Sequence, residues 1–512
     1  MSRTHGTDEW KKRSVVSSFI FKFDDSGQNQ PKVALFKRSD KVSTYQHHLA
    51  PISGSIEPTD PSPLATAWRE IWEETTLNSQ SLTLLRKGKS YSFSDPSVKR
   101  EWTIYPFLFR LKTPDDEQHV KIDWEHEDWG WHDPNEVIKD DSYAVKGVPR
   151  LAESLRRVWF ETDLGPEAGK ILSKGLNTLA HDHESGARQL AGTALQTLRD
   201  IISVLPQSED WWKLVRTAAW HLSKNGRESM GAAITSVLLS ALSQIEPAAT
   251  TQPSSHIQTD KTLSQLDTLL SSRQSSISSL TATFQSYLST TFSSSTTNPI
   301  SLLTLSESST ITHVLTHPST PPLSISILES RPLFEGISFA SSLLSKSNHK
   351  IQILPDTSPS LSCHPSLQIL LIGADRISPE GAVLNKMGSL PAILTARFLC
   401  PTVKVIVLGE TEKIAVPPPS SSVSESEEAE ENDHNQVSRA WNAANNSERV
   451  REGAKLIKEK EKIVTVRNVF FEWVPASLVD VYVTEKGVRT VGDIARHADK
   501  MAQEQERLFG DL

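Results

Sequence analysis

Cysteine is nearly absent: Cys363 and Cys400 are the two in 512 residues. That excludes a disulfide scaffold and fits a reducing compartment. An excess of positive charge is also missing, since 54 Lys and Arg stand against 62 Asp and Glu, a formal net charge of −8. Direct nucleic-acid binding is therefore not expected, because such proteins are normally basic. No apolar run approaches the ~20 residues that span a bilayer, so no membrane is expected either. The opening MSRTHGTDEWKKRS lacks the apolar core of a signal peptide. The expectation is a cytoplasmic protein. Solenoid repeats are absent. The length allows two to four domains with sizeable cores.

The densest chemistry lies in Gly54 to Leu77, GSIEPTDPSPLATAWREIWEETTL. Pro61 and Pro63 suit a first helical turn, which Asp60 or Ser62 can cap. Leu64, Trp68, Ile71 and Leu77 then form one apolar stripe at helical spacing. Glu70, Glu73 and Glu74 fall at i, i+3 and i+4 and crowd their carboxylates on one face. They also lie toward the helix C-terminus, where the dipole disfavours anions. A cation explains this better than a solvated acidic face does. Hard oxygen ligands suit Mg2+ or Mn2+, which bridge to the phosphate oxygens of a substrate.

Around this helix, 14–23 (SVVSSFIFKF) and 32–37 (KVALFK) alternate as half-buried strands do, and SLTLLRKGKSYSF and 101–112 read as further strands. The stretch resembles the Nudix box, G-x5-E-x7-R-E-U-x-E-E-x-G-U with U apolar. Here Asp60 replaces the first Glu, eight residues rather than seven separate it from Arg69, and Thr76 replaces the second glycine. The resemblance implies an α/β/α sandwich over 1–148, with Glu70, Glu73 and Glu74 as metal ligands and Arg69 orienting them. It also implies catalytic roles for Glu73 and Glu74. Glu125, six residues before Trp131, is a candidate extra ligand or general base.

Residues 149–298 read as helices, with a polar linker or insertion at 246–261. Residues 299–512 alternate strands and helices, which implies a parallel, Rossmann-like sheet. Its candidate strands are 313–317 (HVLTH), 323–330, 350–355, 367–375 and 403–409. The Pro-, Ser- and Glu-rich stretch 417–440 reads as a disordered acidic insertion.

Four motifs occur in order: THPS at 316–319, ESRPLFEG at 329–336, GADRISPEGAVLNKMGS at 373–389 and FEWVPASLVDVYVTEKG at 471–487. Together they resemble the family that joins the regulatory α, β and δ subunits of translation initiation factor 2B to isomerases of methylthioribose 1-phosphate and ribose 1,5-bisphosphate. In those isomerases the resemblance implies chemistry on an aspartate in G-A-D, here Asp375, and on a cysteine after T-H, here Pro318. It implies phosphate contacts from Arg227, Arg331, Asn385 and Lys386, although Glu228 replaces a proline and Ser185 an arginine. A homo-oligomer through this domain is also implied.

The expected function is a metal-dependent Nudix-type pyrophosphohydrolase acting on a nucleoside diphosphate linked to X. The appended domain would bind a nucleotide or sugar phosphate or mediate assembly. One alternative is a non-enzymatic regulatory protein with a translation-factor partner. Another is a sugar-phosphate isomerase, which the proline disfavours.

Overall fold

The computed structural model describes residues 10–23, 30–251, 256–292, 299–417, 430–443, 446–460 and 462–512. Alternation along β1 (Lys11–Lys22) builds the first unit. Val16 and Ile20 enter one core, while Phe19 and Phe21 enter another on the opposite face, as a period of two requires. β1 pairs with β2 (Lys32–Arg38) and, in parallel, with β6 (Arg100–Leu111). β3 (Leu49–Ala50), β4 (Leu82–Lys87), β5 (Tyr91–Asp95) and β7 (His126–His132) complete the sheet in the order β3-β2-β1-β6-β4, with β5 on β6 and β7 on β2. Helix α1 (Pro63–Thr75) covers the even face through Ala67 and Ile71.

The other face is covered by α2 (Pro134–Lys139), α3 (Asp141–Lys146) and α4 (Leu151–Arg156). Because Leu151, Leu155, Val158 and Trp159 pack on this face, the first unit extends to Trp159 and not to 148. The result is the expected α/β/α sandwich.

A helical unit follows: α5 (Glu161–Leu164), α6 (Pro166–His181), α7 (Ala187–Val204), α8 (Trp211–Lys224), α9 (Gly231–Thr251) and α10 (His256–Thr291). Residues 246–251 and 256–261 thus belong to helices, which corrects the linker reading; 252–255 lie outside the described residues. The segment Glu228–Ala249 is long and apolar enough to cross a membrane by composition, but 67% of it is buried in the bundle. Its hydrophobicity serves the core that α6–α9 share.

The third unit contains β8 (Ile300–Leu305), α11 (Ser309–Thr316), β9 (Leu323–Leu328), α12 (Glu335–Lys346), β10 (Lys350–Leu354), β11 (Leu367–Ile372), β12 (Arg376–Ile377), β13 (Val383–Lys386), α13 (Ser389–Leu399) and β14 (Lys404–Leu408). After α14 (His434–Arg439) and α15 (Glu448–Glu459) come β15 (Phe471–Val474), β16 (Val481–Thr484), β17 (Gly487–Arg489) and α16 (Val491–Phe509). The main sheet runs β10-β9-β8-β11-β14-β16-β17 and is parallel except for β16–β17. β12, β13 and β15 form a small separate sheet. Leu508 and Phe509 of α16 return to the helical core.

Two expectations are corrected here. Residues 313–317 end a helix and are not a strand: Ser308 Oγ caps α11 by accepting from Ile311 N, and Thr310, Ile311, Val314 and Leu315 bury one helical face. The strand is β8, just upstream. In the acidic insertion, 418–429 lie outside the described residues, whereas 430–440 are ordered. Glu431 bridges to Val469, and Asn432 N donates to Asn468 O at 2.9 Å.

Candidate functional site

Two places concentrate chemistry. The first is the face of α1. Pro63 occupies the first turn after the Ser62 cap, and Thr76 ends the helix at φ 63 with its N–H on Trp72 O. Thr76 therefore adopts the left-handed conformation that glycine usually supplies. Arg69 sits at the centre of the acidic face. Its Nη1 donates to Glu70 Oε1 at 2.7 Å and Glu73 Oε2 at 3.0 Å, its Nη2 to Asp60 Oδ2 at 2.9 Å, and its Nε to Asp60 Oδ1 at 3.2 Å. These bonds hold the Asp60 carboxyl down at about 2. Asp60 anchors Arg69, so the extra loop residue leaves the pairing intact.

Glu70 lies against Gly54, where an added Cβ would stand 1.9 Å from the Glu70 Cδ. The glycine is required by that close approach. Gly54→Ala should push the flexible Glu70 carboxylate off Arg69, with a loss of metal-dependent turnover larger than the loss in melting temperature. Parallel rate and melting measurements check this, and an unchanged rate counts against it.

Glu74 is 3% exposed. Its Oε2 lies 2.6 Å from His126 Nε2, whose side chain is fully buried on β7, while its Oε1 has no partner among the described residues. Burial, followed by repulsion from Glu70, Glu125 and Asp123, raises the Glu74 carboxyl well above the usual range. Burial also holds His126 down at about 4. Both shifts favour the uncharged form of each partner. Glu70 and Glu125 are raised too, first by burial and then partly by neighbouring carboxylates.

The fold thus brings Glu70, Glu73, Glu74 and Glu125 together. Among the described residues no three acid, His or Cys side chains converge into a metal cage, because Arg69 draws two of the four aside. The donor set still fits a hard cation, since Glu74 offers a buried unpartnered oxygen and Mg2+ needs only one or two carboxylates beside substrate phosphates. His126 and Asp123 were not singled out from sequence, although both flank Glu125 in DWEHED.

The second place is the C-terminal edge of the parallel sheet. β9 lies on one side of β8 and β11 on the other, so the chain reverses its winding between β8 and β11. Open α/β sheets bind ligands at such a switch point. Gly373 and Asp375 follow β11, and Ser306 follows β8; a Cβ at Gly373 would meet Ser308 Oγ at 3.4 Å and Asn385 Oδ1 at 3.5 Å. Ser306, Ser330 and Phe334 all have φ near +60° (61, 60 and 59°) at this edge, and such strain clusters at functional sites.

Asp375 sits deep in the crevice but is still reached by solvent. Its carboxyl is raised by burial, against the opposing charges of Lys413, Arg227 and Lys386. Arg227 gives its Nη2 to Glu430 Oε1 at 2.7 Å, Lys386 gives Nζ to Glu335 Oε1 at 2.5 Å, and Lys413 lies 3.4 Å from Glu410. Asn385 Nδ2 donates to Ser389 Oγ at 2.8 Å. Arg331 is exposed on the rim over the Phe334 ring, with no carboxylate on its guanidinium among the described residues.

Pro318 is not in this crevice. β9 starts beside Ile300, at Leu323, and ends beside Leu305, at Leu328. The 316–322 loop therefore lies at the opposite edge of the sheet, about 17 Å away at ~3.3 Å per residue. The reading that placed Pro318 opposite Asp375 is corrected. Ser306 follows β8, the strand beside β11, and so lies at the same sheet edge as Asp375. Cys363 packs beside Cys400, and burial pushes its thiol up to about 11, unsuited to a nucleophile.

A family model described as the initiation factor 2 subunit family matches residues 183–491, and a NUDIX domain model matches 12–158. Among solved structures, the translation initiation factor eIF-2B of Pyrococcus horikoshii OT3 is similar at 18% identity, covering 64% of this chain and 97% of that one, with a TM-score of 0.43. The tetrameric eIF2B-beta2-delta2 complex from C. thermophilum is similar at 14% identity, with 67% and 98% covered and a TM-score of 0.46. The 5-methylthioribose 1-phosphate isomerase of Pyrococcus horikoshii OT3 is similar at 15% identity, with 65% and 87% covered and a TM-score of 0.44. No curated protein matches the chain.

Proposed function

Since the chain belongs to the initiation factor 2 subunit family and carries a NUDIX domain ahead of that region, we propose that it is a metal-dependent cytoplasmic hydrolase of a nucleoside diphosphate linked to another moiety, X. The observation that carries this reading is the partnerless buried Oε1 of Glu74 among three further carboxylates. Glu70, Glu73 and Glu74 would hold Mg2+ or Mn2+. The ion would supply charge stabilisation at the phosphoryl oxygens and lower the pKa of the attacking water. Glu125 would take a proton from that water or complete the ligand set. Arg69 keeps Glu70 and Glu73 on one side of the helix until a cation competes for them.

Because burial raises the Glu74 carboxyl and a metal binds its ionised form, metal affinity should rise with pH. The test is Mg2+-dependent phosphate release across nucleoside diphosphate sugars, dinucleoside polyphosphates and nucleoside triphosphates, alongside Mn2+ titrations at two pH values. Neither release nor Mn2+ binding at any pH would reject the hydrolase and leave the regulatory reading.

For the second module we propose phosphate binding at the switch-point crevice, with exposed Arg331 as first contact; Arg331→Ala should weaken it. We also propose that two copies of the chain meet through α13, whose outer face leaves Leu394, Phe398 and Leu399 exposed, Phe398 at 85%. Leu361, in the turn packed beside α13, extends this surface. Sedimentation should give a dimer that Phe398→Asp separates, and a monomeric parent overturns the proposal.

A further inference from the structure

Arg227 is buried in the helical unit, 7% exposed, at the mouth of the crevice that holds Asp375. Two of its nitrogens, Nη2 at 2.7 Å and Nε at 3.3 Å, converge on one oxygen of Glu430, while Nη1 donates to Asp182 O at 3.2 Å. The Nε–Nη2 edge of a guanidinium is one with which arginine grips carboxylate or phosphate oxygens. Here the oxygen comes from the chain itself, 203 residues away.

Glu430 is also delivered to that position by its neighbours. Asn468, 2% exposed, clamps the three residues that follow it. Its O accepts from Asn432 N at 2.9 Å, its N donates to Glu431 Oε2 at 3.1 Å, and its Nδ2 donates to Asp433 O at 2.7 Å. The other inward cations, Lys386 and Lys413, are paired by Glu335 and Glu410. Both of those carboxylates sit within regular parts of the Rossmann-like unit, at the start of α12 and after β14. Glu430 differs in lying at the end of the acidic insertion.

We propose that Glu430 is a built-in competitor: its carboxylate closes an anion site at Arg227, and a phosphate monoester binds there by displacing it. This rests on the phosphate-binding reading of the second module. A phosphate dianion brings more charge and three acceptor oxygens against one carboxylate, and among the described residues no carboxylate pairs the guanidinium of Arg331 on the rim. While Glu430 occupies the site, apparent affinity is reduced by the fraction of molecules in which Arg227 is uncovered.

Calorimetry on the full chain tests this with two probes, inorganic phosphate and ribose 5-phosphate. Glu430→Gln keeps the shape and removes the charge. It should bind ribose 5-phosphate at least about tenfold more tightly than the parent, as expected if one molecule in ten is open in the parent. Adding Arg227→Gln should abolish that gain. Melting supplies a second readout: Glu430→Gln leaves a buried guanidinium without its counter-charge, so its midpoint should fall in phosphate-free buffer and recover when phosphate is added. Equal affinities in parent and Glu430→Gln, or a gain that survives Arg227→Gln, overturn the competitor while leaving phosphate binding in place. No binding by either protein overturns the phosphate reading itself and the competitor with it. Inorganic phosphate binding as tightly as the sugar phosphate overturns the monoester assignment.

Discussion

Glu74→Gln should lower metal-dependent turnover by about 10²–10³-fold, the usual cost of removing one transition-state contact of this kind, without destabilising the metal-free protein. The two effects have one cause. Glu74 is buried beside His126 with its second oxygen unpartnered, and nearby carboxylates raise its pKa further. A neutral amide carries no charge to bury and can still donate to His126, so the denaturation midpoint of the metal-free variant should equal or exceed that of the parent. A site strained for function is expected to behave this way. Glu73→Gln should show the same loss of rate with little change in stability, since Glu73 is the exposed member of the set and its bond to Arg69 is a surface pair. Phosphate-release rates and urea midpoints measured together check both. Parental rates in both variants across substrates would remove the metal-site assignment.

The sequence carried this site because its parts are local. Glu70, Glu73, Glu74 and Arg69 lie within one and a half helical turns, and the spacing that crowds them is visible in the letters. Even Asp60, one residue out of register, reaches Arg69 because the loop before α1 absorbs the insertion. His126 was not legible: it sits 52 residues from Glu74, and only the pairing of β7 with β2 brings them together. Glu430 was less so. Its composition reads as solvated chain, and its role at Arg227 depends on a contact across 203 residues. HVLTH failed for a different reason. Val314, Leu315 and Thr316, apolar or β-branched, suit a strand or a buried helical face equally, and the Ser308 cap decides between them. That error also moved Pro318 into a site it does not reach. The boundary at 148 failed because α4 is helical in pattern but packs on the first sheet.

Ribose 1,5-bisphosphate and methylthioribose 1-phosphate should not be isomerised, although the reason is no longer Pro318. Shifting a sugar carbonyl needs a proton carrier on each side of the reacting carbons, and each typically supplies ~10²–10⁴-fold. Asp375 can be one: burial raises its carboxyl, and among the described residues no hydrogen-bond donor holds it in the charged form. The strand end across the switch point offers Ser306. A hydroxyl does not ionise near neutral pH as a thiol of pKa about 8.5 can, so the second carrier is missing. Under the proposed phosphate reading, Glu430 on Arg227 also blocks the phosphate. Binding and turnover should therefore separate. Sugar phosphates would bind, more tightly in Glu430→Gln, and NMR of either aldose phosphate incubated with the full chain or with that variant should show no ketose. Ketose appearing at enzymatic rates in the parent would make the second module an isomerase, with Ser306 or the neighbouring Glu307 as the group to replace next.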